Sequence, residues 1–454
     1  MINNKSILFM MEIVAIIFVA ISSFLLVVDI VAPSIVFDIQ FVLYLIILVL
    51  NYIRVKTFNL YQIWIVGYIF IIWSEMRITS TESIGTNYLI PYLRYTLANC
   101  LVLLGYHFYR NKKTFIQNKV RYISKTNWMF SAIIIILYVL YISLSLRSAI
   151  TNLQFGRQLS SAKGSSSLTG SLISALGTLL PAIIAHYVKY IKGRKTIISF
   201  IFSLPIFAIV LLQATRFKFL FSVLPYLIVV DVFSLGTIER KKNVILFISL
   251  LLLFGISSFI KSNRNAAFAE IENPSLFKQQ ANETDPFIMK LAKEMSPEGV
   301  IKMASIADEY FSKHTLHWGK EMSFILYFWV PRAIWPNKPT QLDYWLIREY
   351  SSEEIADSYS SASGFIGEAR ADFGWGCLLF ALMLGMLFKR IDFTKEIIWL
   401  HYRGSFNTIF IAILVPWTFF FVRSPITSTM SLFWEFVIYY MFVRLFAAPT
   451  ASYS

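Results

Sequence analysis

The stretch ILFMMEIVAIIFVAISSFLLVVDIVA, residues 7–32, decides what kind of protein this is. An α-helix rises 1.5 Å per residue, so about 20 apolar residues cross the hydrocarbon layer of a bilayer. This run exceeds that length. It is too long for the core of a secretory signal and lacks a small-residue cleavage site, so it reads as a retained span. Comparable stretches recur along the 454-residue chain, which is 57% hydrophobic and only 15% charged. A soluble domain of this size is far more polar. The expected fold is all-α: a polytopic membrane protein of about twelve transmembrane helices. They lie near 7–31, 35–53, 57–76, 87–109, 128–146, 168–190, 197–214, 219–235, 243–261, 373–389, 405–422 and 427–447. A continuous helix from 197 to 235 would be about twice the crossing length, so a break is expected near Thr215–Lys218.

The formal charge of +15 admits nucleic acid or anionic lipid as partner, but in a membrane protein it reads first as orientation signal. Lys5, Arg54, Lys56, the cluster from Arg110 to Lys125, Lys189 to Lys195, Arg240 to Lys242, Lys389 to Arg403, and Arg444 all fall on one side. By the positive-inside rule that side is cytoplasmic, with both termini. The chain then divides into nine spans in 1–261, one large outer loop in 262–372, and three spans in 373–454. Cys100 and Cys377 lie in or beside spans and carry no redox or metal pattern.

A few cations break the sorting. Arg147, Arg157, Lys163, Arg216, Lys218 and Arg423 sit on or near the outer face, and Arg94 lies inside a span. Snorkelling to the interface accounts for Arg147 and Lys218. Arg216, in QATRFKF, and Arg423, in FVRSPITS, occupy very short turns between apolar helices with no acid nearby in sequence. A guanidinium fork there suits a phosphate.

The outer loop carries short amphipathic helices. Asp285-Pro286 starts one, with Ile288, Leu291, Ala292 and Met295 on a face. Ser296-Pro297-Glu298 starts a second, with Val300, Met303, Ile306, Ala307, Tyr310 and Phe311. Thr340 and Asp343 are spaced as a capping box before YWLIREY. Their apolar faces are expected at the membrane interface or on the outer ends of the spans. MSFILYFWV, 322–330, is too short to cross and reads as interfacial or re-entrant. In PRAIWPNKP, 331–339, three prolines hold Arg332 and Lys338 on a stiff frame.

The stretch SASGFIGEARADFGWG, 361–376, places Glu368, Arg370 and Asp372 at alternate positions where a span begins. Gly364, Gly367 and Gly374 allow close backbone approach. The acids read either as partners of a helix N-terminus or as a general base. No Gly-rich phosphate loop, Cys/His cluster, acidic metal pattern or repeat of 20–50 residues is present. His314 and His317 share a face only if their segment is helical; as a zinc site the pair is incomplete.

QATRFKF, VPRAIWPNKP and GFIGEARADFGWG followed by LMLGMLF together resemble the Wzy-type O-antigen polymerases, the oligosaccharide repeat unit polymerases of bacterial envelopes. The overall plan of many spans and one dominant outer loop is similar as well. The resemblance implies a GT-C-like membrane glycosyltransferase, metal-independent and without a cofactor, in the bacterial inner membrane with its active site facing the periplasm. Its substrates would be undecaprenyl-pyrophosphate-linked glycan donor and acceptor, and its partners membrane lipids and a chain-length-regulating co-polymerase, not nucleic acid. Fixed cations would stabilise the pyrophosphate leaving group. Arg216, Arg332 and Arg423 come first, then Arg157, Arg264 and Lys338. Glu368 and Arg370 are the catalytic candidates, with His314 or His317 next as base. An O-antigen ligase or a polysaccharide flippase remains the alternative, although no half-repeat of the kind common in transporters is visible.

Overall fold

The computed structural model describes residues 4–28, 30–55, 59–80, 86–109, 121–123, 128–155, 168–194, 196–212, 216–230, 299–327, 363–401, 405–423 and 430–449, with isolated positions at 330, 334, 335, 342 and 346. Among the described residues the chain is helical apart from two three-residue strands. Five helical stretches are long and apolar enough to cross a membrane: Lys5–Val27, Pro33–Val55, Trp128–Leu146, Leu172–Ile191 and Gly364–Ile398. This is the make-up of a helical membrane protein. The predicted stretch 243–261 lies outside the described residues.

The chain forms two compact units, interleaved along the sequence. The first comprises Met1–Asn111, Phe277–Asp392 and Thr418–Thr429; the second comprises Lys112–Leu276, Phe393–Trp417 and Met430–Ser454. The sequence-based division into 1–261, 262–372 and 373–454 follows position along the chain and does not coincide with these spatial units.

In the first unit, α1 (Asn4–Val27) and α2 (Pro33–Val55) pack as an antiparallel pair. Gln40 donates to Ser22 and Ser23 between them, at 3.0 and 2.8 Å. Next, α3 (Leu60–Tyr68) passes through a widened π turn, Ile69–Trp73, into α4 (Ser74–Thr79). α5 (Thr86–Phe108) carries Pro91 inside it, which membrane helices tolerate when neighbours satisfy the freed backbone. Trp64 donates to Asn99, Tyr68 pairs with Thr96, and Trp73 donates to the Phe37 carbonyl, each at 2.8 Å. Polar side chains thus join α2, α3 and α5 inside an otherwise apolar core.

The second unit begins with β1 (Arg121–Ile123) and α6 (Trp128–Phe155). α7 (Leu168–His186) follows, ending in a π turn at Tyr187–Ile191, then α8 (Thr196–Leu212) and α9 (Arg216–Val229). The break expected near Thr215–Lys218 falls partly on 213–215, outside the described residues; α8 ends at Leu212 and α9 begins at Arg216. Inside this unit Glu435 is buried and accepts from Thr178 at 2.5 Å and Trp417 at 3.1 Å.

The outer-loop segment contributes α10 (Val300–Lys313) and α11 (Lys320–Tyr327) to the first unit. After them come α12 (Gly364–Phe373), a tight turn at Gly374–Gly376, α13 (Cys377–His401), α14 (Asn407–Arg423), α15 (Met430–Phe446) and β2 (Ala447–Pro449). β2 pairs antiparallel with β1 in the second unit, Tyr122 opposite Ala448.

One sequence expectation changes here. The second loop helix starts at Val300 with Gly299 as its N-cap, at φ +71°, rather than at Ser296-Pro297. Its first amides are capped from a distance: Glu75 of α4 accepts from Ile301 N at 3.1 Å and Lys302 N at 3.0 Å. A carboxylate at a helix N-terminus satisfies free donors and complements the dipole, and one supplied by another helix leaves no local sequence signature. The predicted apolar face is otherwise present, with Val300, Met303, Ala307 and Phe311 buried. It packs with Leu342, Leu346 and Ala371, and α10 lies against α5, in keeping with the expected place on a span helix.

Candidate functional site

α5 and α13 run side by side in the same direction. Arg94 faces Trp375 at one end, Val102 faces Gly385 in the middle, and Tyr106 bonds Asp392 at the other. Gly105 and Gly385 make this approach possible: a Cβ on either would meet the carbonyl of Leu382 or Val102 respectively. Close backbone contact through glycine is a recurrent way for helices to associate in membranes.

At the Arg94 end, α10 and α12 close over the pair. Ile301, Ala304 and Asp308 share one stripe of α10 by the three- and four-residue periodicity of a helix, and α10 packs against α5. Arg94 is 2% exposed. Its Nη1 donates to both oxygens of Asp308, at 2.7 and 2.9 Å, and its guanidinium carbon lies 4.7 Å from the Trp375 ring centre. Arg370 Nε lies 3.1 Å from Asp308 Oδ1. Two cations therefore share one carboxylate.

Glu368, Arg370 and Asp372, adjacent in the sequence reading, are separated by the helix they form. A helix turns about 100° per residue, so residues two apart do not face each other. Glu368 and Asp372, four apart, are both fully buried, while Arg370 keeps partial access on the opposite side. Glu368 lies in the second turn of α12, not at its start. Asp372 stands near the C-terminal end of α12 and caps another helix. Its Oδ1 accepts from Glu321 N at 3.0 Å, and its Oδ2 from Met322 N at 2.8 Å, at the start of α11. The reading of both acids as partners of their own helix N-terminus is corrected accordingly.

The glycines behave as expected. Gly364 opens α12 at φ +65°, where an added Cβ would sit 2.6 Å from the Val422 carbonyl oxygen. Tyr95 donates to the Ser363 carbonyl just before it. Gly374, at φ +60°, breaks the chain between α12 and α13, so the stretch GFIGEARADF forms its own short helix rather than the first turns of the long apolar one.

His314 and His317 do not share a helix face, because α10 ends at Lys313. His314 stacks on Tyr310 with ring centres 4.0 Å apart. His317 turns inward. Its backbone N donates to the Ala371 carbonyl at 3.0 Å, and its Nδ1 lies 2.8 Å from Glu321 Oε1. This contact orients the ring, as a carboxylate does for an imidazole used in proton transfer. Beside it Trp318 adopts φ +51° and is 77% exposed.

Of the predicted cations, Arg423 ends α14 in the first unit, its guanidinium 5.6 Å from the Phe420 ring centre. Arg216 is the first residue of α9, in the second unit. Arg157, Arg264, Arg332 and Lys338 lie outside the described residues. Sequence reasoning noted Arg94 as an arginine within a span but did not place it in the site, and it missed Asp308. The signal for Arg94 was the high cost of an intramembrane charge; its partner is 214 residues away in the chain.

Among the described residues no group of three or more His, Cys, Asp or Glu side chains is arranged to hold a metal ion. Comparison of the chain with protein-family models, curated proteins and solved structures gave no match.

Proposed function

We propose that this protein polymerises undecaprenyl-pyrophosphate-linked oligosaccharide repeat units at the periplasmic face of a bacterial inner membrane, as the resemblance to Wzy-type polymerases implies. The carrying observation is the meeting of two cationic guanidiniums, Arg94 and Arg370, with an oriented His317–Glu321 pair at one end of a set of apolar helices. Glycosyl transfer from a lipid diphosphate calls for both kinds of group. The acceptor hydroxyl attacks the anomeric carbon, the bond from that carbon to the diphosphate oxygen breaks, and the hydroxyl proton passes to a base. Fixed cations lower the barrier by stabilising the charge that grows on the leaving diphosphate.

Two groups compete for the proton. His317 has a ring oriented by Glu321, and partial exposure. Glu368 is buried one turn from Asp372 and would need the acceptor hydroxyl to reach it inside α12's packing. The exposed ring of Trp318 offers a flat apolar surface for a sugar beside His317.

The proposed topology has twelve spans and both termini cytoplasmic. It is supported within the first unit by agreement among distant contacts. Glu12, Asn51, Arg54 and His107, all assigned to cytoplasmic helix ends, form one hydrogen-bonded group. Asp38 and Arg77, assigned to periplasmic ends, pair at 2.7 Å. α5 and α13 run parallel, as two outside-to-inside spans would.

The test is deletion of the gene followed by gel analysis of surface polysaccharide. Single-unit caps without a ladder are expected. An unchanged ladder would refute the proposal, and bare lipid A-core would assign the protein to ligation or flipping instead.

A further inference from the structure

Among the described residues the Arg94–Asp308–Arg370 group does not balance. Two guanidiniums bring two positive charges into a largely buried place, and one described carboxylate answers them. In water such an excess costs little. Where helices exclude water, an uncompensated cation is expensive, and it welcomes an anion.

Hydrogen-bond geometry points the same way. A guanidinium presents five donors in a planar fork that matches two acceptor oxygens. Arg94 contacts both Asp308 oxygens through the single nitrogen Nη1, so the paired edge of its fork is not engaged by that carboxylate. Arg94 Nε is buried without a hydrogen-bond partner, and Arg370 Nε, though close to Asp308, is buried without an aligned hydrogen bond. Buried donors left in this state are uncommon and call for an explanation. Trp375 fixes the plane of the Arg94 guanidinium. The arrangement offers more donors and more charge than an aspartate can use.

Asp308 keeps access to solvent: its side chain is 16% exposed, against 3% for Arg94. It sits on α10, a short helix of the outer-loop segment, whereas Arg94 sits on one of the long packed helices.

We infer that Arg94 and Arg370 form a diphosphate-binding site, and that Asp308 is an internal counter-ion holding the place of a phosphate until a lipid-linked diphosphate displaces it. A diphosphate carries more charge than a carboxylate and enough oxygens to fill both guanidinium forks. The carboxylate keeps two like charges together in the empty site and sets a threshold that weaker anions do not cross. The lipid-linked diphosphate as ligand rests on the proposed polymerisation; a site for an anion with several acceptor oxygens rests on the geometry.

The sign of one substitution tests this. Removing a competing internal anion tightens binding, whereas removing a structural ion-pair partner does not. The full-length protein in detergent micelles is titrated with farnesyl diphosphate and, separately, with inorganic pyrophosphate. Asp308→Asn is expected to bind farnesyl diphosphate roughly tenfold more tightly than the wild type, and Arg94→Gln roughly tenfold or more weakly, about the size of one charge-assisted contact. Arg94→Lys, which keeps the charge and is the safer variant for folding, is expected to fall between wild type and Arg94→Gln because the fork is lost. Unchanged or weaker binding by Asp308→Asn would overturn the inference, as would wild-type affinity in both Arg94 variants. Tightening seen with inorganic pyrophosphate but not with farnesyl diphosphate would overturn the lipid assignment. A polysaccharide ladder that survives gene deletion, with binding tightened in Asp308→Asn, would leave this site standing and remove polymerisation. A ladder lost on deletion, with binding unmoved, would do the reverse.

Discussion

Gly385→Ala probes the packing on which the candidate site depends. A Cβ at Gly385 falls 2.8 Å from the Val102 carbonyl carbon and 2.9 Å from the Tyr106 nitrogen. Favourable contact between such atoms lies at about 3.5–4.0 Å, so the overlap is about 0.6–1.2 Å. The obstructing atoms are helical backbone and have no rotamer to escape into. α5 and α13 must therefore separate along the seam, and a gap of about 0.5–1 Å forfeits a quarter to a half of each contact well. Overpacking of this kind costs about 1–3 kcal/mol. Against it stands the better helix propensity of alanine, about 1 kcal/mol. The net expectation is destabilisation by up to about 2 kcal/mol. Gly105→Ala meets the same seam from the other side, with its Cβ 3.1 Å from the Leu382 carbonyl carbon. Once the first substitution has parted the helices the second costs less, so the double variant is expected to be less than additive. Gly376→Ala is the control: its Cβ finds only the Phe373 Cβ, at an ordinary 3.4 Å, and the change stays within about 0.5 kcal/mol. Thermal unfolding of the purified protein in detergent, read by scanning fluorimetry, compares the four variants. If Gly385→Ala unfolds at or above the wild-type temperature, the close approach of α5 and α13 is refuted.

The orientation is read by cysteine labelling in a background lacking Cys100 and Cys377: Gln280→Cys and Ile355→Cys react with an impermeant thiol reagent in cells with a permeabilised outer membrane, and Phe115→Cys and Lys241→Cys do not. Arg216→Ala and Arg423→Ala each remove long chains while the protein still reaches the membrane, with lysine rescuing only in part; a full ladder from either variant would show that its arginine is not needed for polymerisation. Asp372→Asn keeps one of two acceptors for the first amides of α11 and costs about 1–3 kcal/mol, seen as faster hydrogen exchange over residues 320–327. Glu368→Gln and His317→Gln, assayed with purified carrier-linked units, separate the two bases: the true base loses about two to four powers of ten in rate, and the other variant stays near wild type.

The helical character was legible because long apolar runs have few other fates in water or lipid. Asn4–Val27 and Pro33–Val55 lie within a few residues of the predicted 7–31 and 35–53. The face of α10 was legible for the same reason: Met303, Ala307 and Phe311 repeat at helical spacing whatever they pack against. What was not legible is long-range. The Ser296-Pro297-Glu298 start is a good local signal, yet Glu75 supplies the cap from 226 residues away. Glu368, Arg370 and Asp372 look like one cluster when read as a string, and only the helix phase separates them. Arg94 and Asp308 are each unremarkable in their own segments; their pairing is a property of packing.

How the acids of the first unit are engaged narrows the chemistry further. Glu12 holds Asn51, Arg54 and His107, and Asp38 holds Arg77. Glu75, Asp372 and Asp392 each accept backbone amides at the start of a helix other than their own: α10, α11 and α3. In an interior with little water these amides have no solvent partner, and a charged acceptor from a neighbouring helix is a strong substitute. Such acids are poor candidates for proton transfer, because taking up a proton would loosen the helix start they hold. Glu309 is tied to Lys313 on the surface. The remaining described acids of this unit are Asp308, Glu321 and Glu368, on α10, α11 and α12, and Glu368 too is engaged within its packing. Asp308 is taken up by two guanidiniums, with both of its oxygens bonded to Arg94. Glu321 acts through His317, whose ring is the group with access. The choice of base thus falls between His317 and Glu368, and paired turnover measurements on His317→Gln and Glu368→Gln decide it: normal rates in both would place the base outside these helices.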